Sequence, residues 1–315
     1  MIVLATVACR ERTVAPVAPT APPVPGRQVS ALRSDPACAA PFDAPGAREK
    51  LRAATGELKI GVLAGLKDAD DENVAFIRKL VTELKRRGAE ILIADGDLGD
   101  NPDEQDTLLG VLTEAGLPIL AVAGNREVRS ELDAVEAELR KKGARILDLS
   151  HTRIVDLGDA TVVGLAGAFE RRQLHSEGAC VYVQKDIEAL SAALDRLGPP
   201  VIFVAAVPPR GQDARALDVS EGQNLGDPRL TALLKKAQLG IFGQVWESGG
   251  RAVDGRGVPV PPKTDSAQLY LNPGAADRTP WPMADGTTVA GQAALLTVHG
   301  RTAQWEPVRA AEEKR

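Results

Sequence analysis

Between residues 57 and 150, short apolar runs alternate with longer segments in which apolar residues recur every three or four positions. The run "LKIGVLAG" ends at a glycine, which is typical of a short buried strand. The segment "ENVAFIRKLVTELKRRG" then places Ile77, Leu80 and Leu84 on one helical face before Gly88. This order of patterns predicts a strand followed by an amphipathic helix.

The same alternation continues along the chain. The segments "AEILIADGD" and "LPILAVAGN" predict strands, and "QDTLLGVLTEAG" and "ELDAVEAELRKKG" predict helices. Successive strand and helix units favour a mainly parallel sheet with right-handed crossovers. Because ligands bind such sheets at the carboxyl ends of the strands, segments 61–67, 95–101 and 124–129 are the candidate binding loops.

Residues 151–309 predict more strands and longer loops. A hairpin is predicted around Gly158 and an antiparallel pair around Gly300. A helix is predicted in "DIEALSAALDRL", strands in "PPVIFVAAVPPRG" and "AQLYLNPGAA", and a helix followed by a strand in "RLTALLKKAQLGIFGQVWESGG". The segment "RAVDGRGVPVPPKTD" is rich in glycine and proline, and we expect a loop that is too polar to pack.

Composition limits the class of protein. With 315 residues and 44% hydrophobic content, the chain can bury the core of one large domain or two small ones. A formal net charge of −5 and an aromatic content of 3% argue against nucleic acid as the main partner. No run of eighteen apolar residues exists, so the sequence predicts no membrane-spanning helix.

The first residues differ in character from the rest of the chain. "MIVLATVAC" is apolar and ends in small residues before Cys9, and the "RERTVAPVAPTAPPVPG" that follows it is rich in proline and alanine. This resembles the start of a bacterial lipoprotein, in which Cys9 is acylated after cleavage behind Ala8. A complete secretory signal has a positive beginning and a longer apolar stretch, so either upstream residues are missing or the resemblance is accidental.

On the lipoprotein interpretation the chain has four parts. They are a truncated lipoprotein signal (1–9), a proline- and alanine-rich tether and linker (10–56), one folded domain (57–309) and a disordered tail (310–315). The expected location is the bacterial cell envelope, where the chain is lipid-anchored and faces the periplasm or lies at the outer membrane. A cytoplasmic location is the alternative.

Two cysteines remain once Cys9 is set aside. Cys38 and Cys180 could form a disulfide that fastens the end of the tether to the domain, as an oxidising compartment allows. They could equally be two free, buried thiols, because positions in sequence do not give the distance between two sulfurs. Both alternatives stay open at this point.

Five short motifs follow apolar runs in a recognisable order. They are "GDLGD" (96–100), "GNRE" (124–127), "VPPRG" (207–211), "GQVW" (243–246) and "NPGA" (272–275). Each motif is weak alone, but their order and spacing resemble the calcineurin-like metallophosphoesterase family over about residues 58–308. The resemblance implies an α/β fold in which two mixed β-sheets stack face to face with helices outside them.

The resemblance also implies which positions would hold metal ions. Active members of the family bind two metal ions through aspartate, asparagine and histidine side chains. Two metal ions held in this way activate a water molecule. In this chain only Asp97 and Asn125 match the metal ligands of the family. The other ligand positions carry Ala64, Leu66, Arg126, Ala206, Gln244 and Trp246.

The three histidines of the chain are not expected to replace the missing ligands. His151 is predicted to begin a strand, His175 lies in the polar segment "RRQLHSEG", and His299 precedes the glycine of the last hairpin. We expect none of them where the strand-end loops converge. We therefore interpret all three as surface or structurally satisfied residues.

The acidic segment "KDADDEN" (67–73) has two interpretations. Asp68, Asp70 and Asp71 could bind calcium, but the segment lacks the glycine and the distal glutamate of a calcium loop. We favour a role at the start of the following helix, where the helix dipole stabilises negative charge.

The lost ligands predict a pseudoenzyme, which is a binding or scaffold protein with no catalytic residue. Its vestigial pocket is expected to contain Ala64, Leu66, Asp97, Asp100, Asn125, Arg126, Ala206, Gln244 and Trp246. No cofactor is expected, and the expected partner is a protein or an anionic small molecule, with the membrane contacted only through the lipid anchor. The alternative is a phosphoester hydrolase with an atypical metal site and one weakly bound divalent metal.

Carboxylates that cluster in a pocket without metal ions need another source of positive charge. Arg126 stands at a histidine position of the family, and a guanidinium can grip a carboxylate with two hydrogen bonds. We therefore hypothesise that Arg126 pairs with Asp97 or Asp100, and that Trp246 and Leu66 fill the space of the lost imidazoles.

Overall fold

The computed structural model describes residues 38–310. Cys9 and the predicted signal, residues 10–37 of the predicted tether, and residues 311–315 of the predicted tail lie outside the described residues. Within the described part, no helix combines the length and the apolar character that crossing a membrane requires.

Five α-helices occur in the described part of the chain. They are α1 (Asp71–Arg86), α2 (Pro102–Thr113), α3 (Arg129–Lys141), α4 (Gln184–Leu194) and α5 (Pro228–Leu233). Asp70 is the N-cap of α1, and its side chain accepts hydrogen bonds from the backbone N–H groups of Glu72 and Asn73, both at 3.0 Å. The interpretation of the acidic segment as a helix start is therefore confirmed.

Residues 38–310 form seventeen strands. They are β1 (Arg48–Lys50), β2 (Glu57–Leu63), β3 (Ile91–Asp95), β4 (Ile119–Val122), β5 (Ile146–Asp148), β6 (Ile154–Asp156), β7 (Thr161–Leu165), β8 (Val201–Ala205), β9 (Val219–Ser220), β10 (Gln223–Asn224), β11 (Leu239–Phe242), β12 (Arg251–Val253), β13 (Leu269–Asn272), β14 (Trp281–Pro282), β15 (Thr288–Val289), β16 (Gln292–His299) and β17 (Thr302–Arg309).

Two large mixed sheets contain most of these strands. A six-stranded sheet has the order β17-β16-β2-β3-β4-β5, and a seven-stranded sheet has the order β1-β6-β7-β8-β11-β13-β12. Strands β2 to β5 are parallel, whereas β16 runs antiparallel to both β2 and β17. The predicted fold class, two mixed sheets flanked by helices, is confirmed.

The side chains of β8 show how the layers are stacked. Ile202 and Val204 belong to the same buried cluster as residues of the six-stranded sheet, such as Ile93 and Leu120. Phe203, between them in sequence, belongs to a second cluster with residues of α4 and α5. Successive strand residues point to opposite faces, so one face of β8 packs on the other sheet and the opposite face is covered by helices.

Two segments are more ordered than the sequence predicts. The sequence assigns residues 38–56 to the linker, but they contain β1, which pairs in parallel with β6. It predicts an unpacked loop at 251–265, but this segment contains β12, which pairs with β13, and Val260 is buried. The pattern does not reveal either strand, because a three-residue edge strand is held by backbone hydrogen bonds and needs almost no apolar residues.

Candidate functional site

The carboxyl ends of the central strands border a cavity of about 280 Å³. Asp97 follows β3, Asn125 follows β4, and Gln244 and Trp246 follow β11, and all four line this cavity. Their convergence agrees with the general position of ligand sites in open α/β sheets. The cavity therefore brings together four positions of the predicted vestigial pocket.

Other predicted pocket positions lie behind the wall of the cavity. Ala64, Leu66 and Ala206 are between 0% and 1% exposed, and none of the three lines the cavity. A Cβ atom added to Gly96 would come within 2.9 Å of the Ala206 methyl group. Small apolar side chains therefore pack tightly against the strand-end turns where the family would place metal ligands.

Arg126 makes the ion pairs that the sequence suggests. Its Nε lies 3.1 Å from Oδ1 of Asp97, and its Nη1 donates a 2.6 Å hydrogen bond to Oδ1 of Asp100. Asp97 has a side chain that is 4% exposed, whereas Asp100 is on the surface. The guanidinium thus bridges a buried carboxylate, that of Asp97, and an exposed one, that of Asp100.

A second cation, Lys67, enters the same region from the predicted binding loop 61–67, although it is not among the predicted pocket residues. Its Nζ lies 3.3 Å from the ring centroid of Trp246, 3.4 Å from that of Trp281 and 4.0 Å from Oδ2 of Asp277. Burial lowers the pKa of Lys67 to about 8, and the nearby carboxylates of Asp277 and Asp97 oppose that effect. The ammonium group therefore lies in the angle between two indole rings.

Backbone contacts hold Lys67 and its partners in place. The N–H groups of Leu66 and Lys67 both donate to the carbonyl of Asp97, at 2.9 and 3.0 Å. The N–H of Asp277 donates to the carbonyl of Gly65 at 3.1 Å, and its Oδ1 accepts a 3.0 Å hydrogen bond from Nε1 of Trp281. The loops after β2, β3 and β13 are thereby tied together around the Lys67 side chain.

Three non-glycine residues of this region adopt the left-handed backbone conformation. The φ angles are 58° at Lys67, 54° at Asp97 and 53° at Gln244. Such angles are uncommon outside glycine, and they concentrate at sites where the surrounding structure imposes them. All three residues follow strand ends of the two large sheets, so the surrounding structure holds the backbone of these loops in an uncommon conformation.

Three buried acidic groups lie close together, and one of them, Asp97, lines the cavity. Burial raises the pKa of Asp97 to about 6, with Arg126 and Lys67 opposing the shift, and it raises that of Asp95 well above its ordinary value. Burial raises the pKa of Glu127 to about 7, although its carboxylate accepts hydrogen bonds from the N–H groups of Leu98 and Gly124. The three carboxyl groups are therefore not all ionised near neutral pH.

The prediction that no histidine lies near the converging loops is wrong for His175. His175 lines the cavity, and its backbone N–H donates a 3.0 Å hydrogen bond to the backbone carbonyl of Asn125. The polar segment "RRQLHSEG" folds back over the site, which no local periodicity reveals. The third histidine, His299, pairs with Glu57 at 3.3 Å where β16 meets β2.

His151 is part of the one group of three metal-capable side chains found within residues 38–310. Its Nε2 lies 2.7 Å from Asp133 and 3.8 Å from Asp148, and a nitrogen of Arg129 lies 3.0 Å from its Nδ1. None of these residues lines the cavity. With an arginine in direct contact, the group already has a cation beside its carboxylates.

The residues of the cavity do not fit the two-metal centre of the family. Carboxylates and neutral imidazoles are the donors that hold and activate such ions. The guanidinium of Arg126 uses Asp97, the one carboxylate that matches the family, and His175 comes from a loop that supplies no family ligand. No step of a metal-dependent reaction is derived from this arrangement.

Of the two alternatives for Cys38 and Cys180, a disulfide or two free thiols, the structure has the disulfide. Cys38 and Cys180 are bonded, with their Cα atoms 5.2 Å apart and a sequence separation of 142. Both cysteines are buried in the cluster on the outer face of the seven-stranded sheet. The bond joins the start of the described chain to this sheet.

Solved structures of the same fold are found at low sequence identity. The structure of TT1561 from Thermus thermophilus has a TM-score of 0.56 at 17% identity, covering 81% of this chain and 99% of the other. A dimetal phosphatase from Danio rerio has a TM-score of 0.53 at 14% identity, covering 81% of this chain and 97% of the other. GAP50, described as the anchor in the inner membrane complex of Plasmodium, has a TM-score of 0.51 at 9% identity, covering 82% of this chain and 91% of the other.

These likenesses define the class of the protein at the level of fold. No family model and no curated protein matches the sequence. The chain has the calcineurin-like metallophosphoesterase fold, as its motifs predicted, and it lacks most of the metal ligands that the family uses. At these identities the comparison concerns architecture and carries no activity over to this chain.

Proposed function

We propose that this chain is a non-catalytic binding protein built on the metallophosphoesterase fold. The observation that carries the proposal is the position of Arg126, whose guanidinium contacts both Asp97 and Asp100. A metal ion at the same place would need the Asp97 carboxylate for itself and would be repelled by the guanidinium.

The other substitutions support the same conclusion. Hydrolysis in this fold needs a metal-activated water and a proton donor for the leaving group. Ala206 and Trp246 have no group that ligates a metal, and the amide of Gln244 is a weak ligand compared with an imidazole. Lys67 adds a second positive charge, so two internal cations are available to neutralise the buried acidic residues.

Location belongs to the same proposal. We infer that Cys9 carries a lipid and that the domain faces an oxidising compartment of a bacterial envelope. The bond between Cys38 and Cys180 supports the second part, because disulfides persist in oxidising compartments. The Plasmodium anchor protein of similar fold supports the use of this architecture for attachment.

A combined measurement of metal content and turnover tests the absence of catalysis. The protein is purified without chelators, its metal content is determined, and p-nitrophenyl phosphate and bis-p-nitrophenyl phosphate are offered with added Mn²⁺ or Zn²⁺. We expect less than one tightly bound transition metal per chain and no turnover above background. One or two bound metals per chain, with a metal-dependent hydrolysis that Asp97→Asn abolishes, would establish the alternative hydrolase.

A further inference from the structure

The charges around the cavity restrict what it can bind. Among the described residues that line it, Asp97 and Glu247 are the acidic ones, and there is no lysine or arginine. Burial and the nearby charge of Arg126 lower the pKa of the lining His175, which disfavours a positive charge on its imidazole. Arg126 and Lys67 are not among the lining residues, and they are engaged by Asp97, Asp100 and Asp277. A phosphate or carboxylate ligand would meet acidic groups and no free cation at the wall.

A cationic ligand is disfavoured for a different reason. Trp246 and Trp281 both line the cavity and would be the natural partners of an ammonium group. The ammonium of Lys67 already lies over both rings, at 3.3 and 3.4 Å from their centroids. A second positive charge at this place would be repelled by the first.

The remaining polar groups suit a ligand that both donates and accepts hydrogen bonds. Gln173 and Gln244 line the cavity, and the amide oxygen of each has no hydrogen-bond partner within residues 38–310. Both oxygens have almost no accessible surface, so an amide must rotate to present its oxygen or nitrogen to a ligand, and no hydrogen bond of the oxygen opposes that rotation. Hydroxyl groups satisfy either orientation, and the Asp97 and Glu247 carboxylates are further acceptors for them.

The shape of the cavity sets the size of that ligand. Its volume of about 280 Å³ lies just below the range of about 300–1,000 Å³ that is usual for small-molecule sites, which favours a small ligand such as a single ring. The rings of Trp246 and Trp281 are inclined at 51° with centroids 4.7 Å apart, so they do not form a parallel slot for a planar base. Inclined indoles can still pack against the C–H faces of a puckered ring.

We propose that this cavity binds one uncharged, hydroxyl-bearing ring, that is, a saccharide unit. The inference rests on the proposed function, since it takes the former catalytic cleft to be a binding site. It replaces the anionic small molecule expected from sequence with a neutral one, on the basis of the lining charges.

Calorimetric titration of the full chain tests the inference. The neutral probes are glucose and N-acetylglucosamine, and the comparators are glucose 6-phosphate, glucosamine and adenosine. We expect at least one neutral sugar to bind at least tenfold more tightly than every comparator. Equal or tighter binding of a comparator, or binding of neither neutral sugar, overturns the proposal.

Matched variants locate the binding. Gln173→Ala and Gln244→Asn should each weaken the binding of the sugar at least fivefold, and asparagine tolerates the left-handed backbone at position 244. Gln212→Ala changes an exposed glutamine outside the cavity and should have no effect. Unchanged affinity in both pocket variants, with their folding verified by thermal unfolding, also overturns the proposal.

The two proposals fail in distinguishable ways. Phosphoester turnover together with neutral-sugar binding in the cavity would reject the non-catalytic function and leave the ligand class intact. Absence of turnover together with absence of neutral-sugar binding would reject the ligand class alone.

Discussion

The Nζ of Lys67 lies 3.3 Å from the ring centroid of Trp246, which lines the cavity at the strand ends. The two residues follow different strands, β2 and β11, so this contact joins two loops of the cleft. Desolvation of the ammonium lowers the pKa of Lys67 to about 8, close enough to neutrality for its charge to change in ordinary buffers.

We therefore predict that the tryptophan emission of the protein titrates with a midpoint near pH 8, because an adjacent charge shifts the emission of an indole ring. Lys67→Met keeps an unbranched side chain, one atom shorter and without the ammonium group, and should abolish this transition. Lys263→Met, which alters an exposed lysine, should leave it unchanged. A transition that persists in Lys67→Met would assign it to another group.

Arg126 should contribute measurably to stability because it forms an ion pair with Asp97, a carboxylate that has almost no access to water. Arg126→Ala leaves Asp97 without its ion pair, and we expect a loss of about 1–3 kcal/mol in the free energy of unfolding. Urea denaturation at pH 7.5 measures the effect.

The control for this variant is Arg172→Ala. Arg172 also pairs with a carboxylate, that of Glu170, but its side chain is 82% exposed. Exposed pairs contribute little, so the control should change stability by less than about 0.5 kcal/mol. If the two variants lose the same small amount, Arg126 has no structural role in the site.

The layers of the fold could be predicted because they follow from periodicity. Ile77, Leu80 and Leu84 recur at helical spacing and are all buried in α1, as expected. The edge strands β1 and β12 could not be predicted in this way, because sheet pairing holds them through the backbone.

The site could be predicted only where a motif places a residue at the end of a strand. Asp97, Asn125, Gln244 and Trp246 meet at the cavity because each follows such a strand. Lys67 and His175 depend on how loops fold back, through contacts between distant segments, and sequence patterns do not report those contacts. A lysine directly after a strand-end glycine and leucine was the only available signal for Lys67.

The buried carboxyl groups predict an unusual dependence of stability on pH. The pKa of Asp97 rises from its ordinary value of 3.8 to about 6, and that of Glu127 rises from 4.5 to about 7. The folded chain therefore holds these protons more tightly than the unfolded chain, and the resulting stability is complete below about pH 4. It is lost as the pH rises through 6 and 7.

Urea denaturation between pH 5 and pH 7.5 should accordingly show a free energy of unfolding that decreases with increasing pH. Glu136, whose pKa burial raises to about 8, acts in the same direction. Asp97→Asn removes one titrating group and should flatten the profile, and asparagine tolerates the left-handed backbone of this position. A stability that increases over the same range would contradict the assignment.

The proposed lipid anchor predicts the behaviour of the full-length protein in a bacterial host. Acyl chains supply most of the membrane affinity of a lipoprotein, so the protein should partition into a detergent phase. Cys9→Ser should move it to the aqueous phase. Cys38→Ser should not, which separates the anchor from a general effect of losing a cysteine. Identical partitioning of the wild type and Cys9→Ser would exclude the anchor.

The bond between Cys38 and Cys180 predicts a redox-dependent stability. It closes a loop across 142 positions, and closing long loops restricts the unfolded chain, so we expect Cys38→Ser to cost about 2–5 kcal/mol. Thermal unfolding of the wild type in a strong reductant should approach that of Cys38→Ser, and the reductant should not affect the variant further.

Cys9→Ser is the control, because it removes a cysteine outside this bond. A wild type that unfolds at the same temperature with and without reductant, although mass spectrometry shows the bond to be reduced, would show that the bond contributes nothing to the fold.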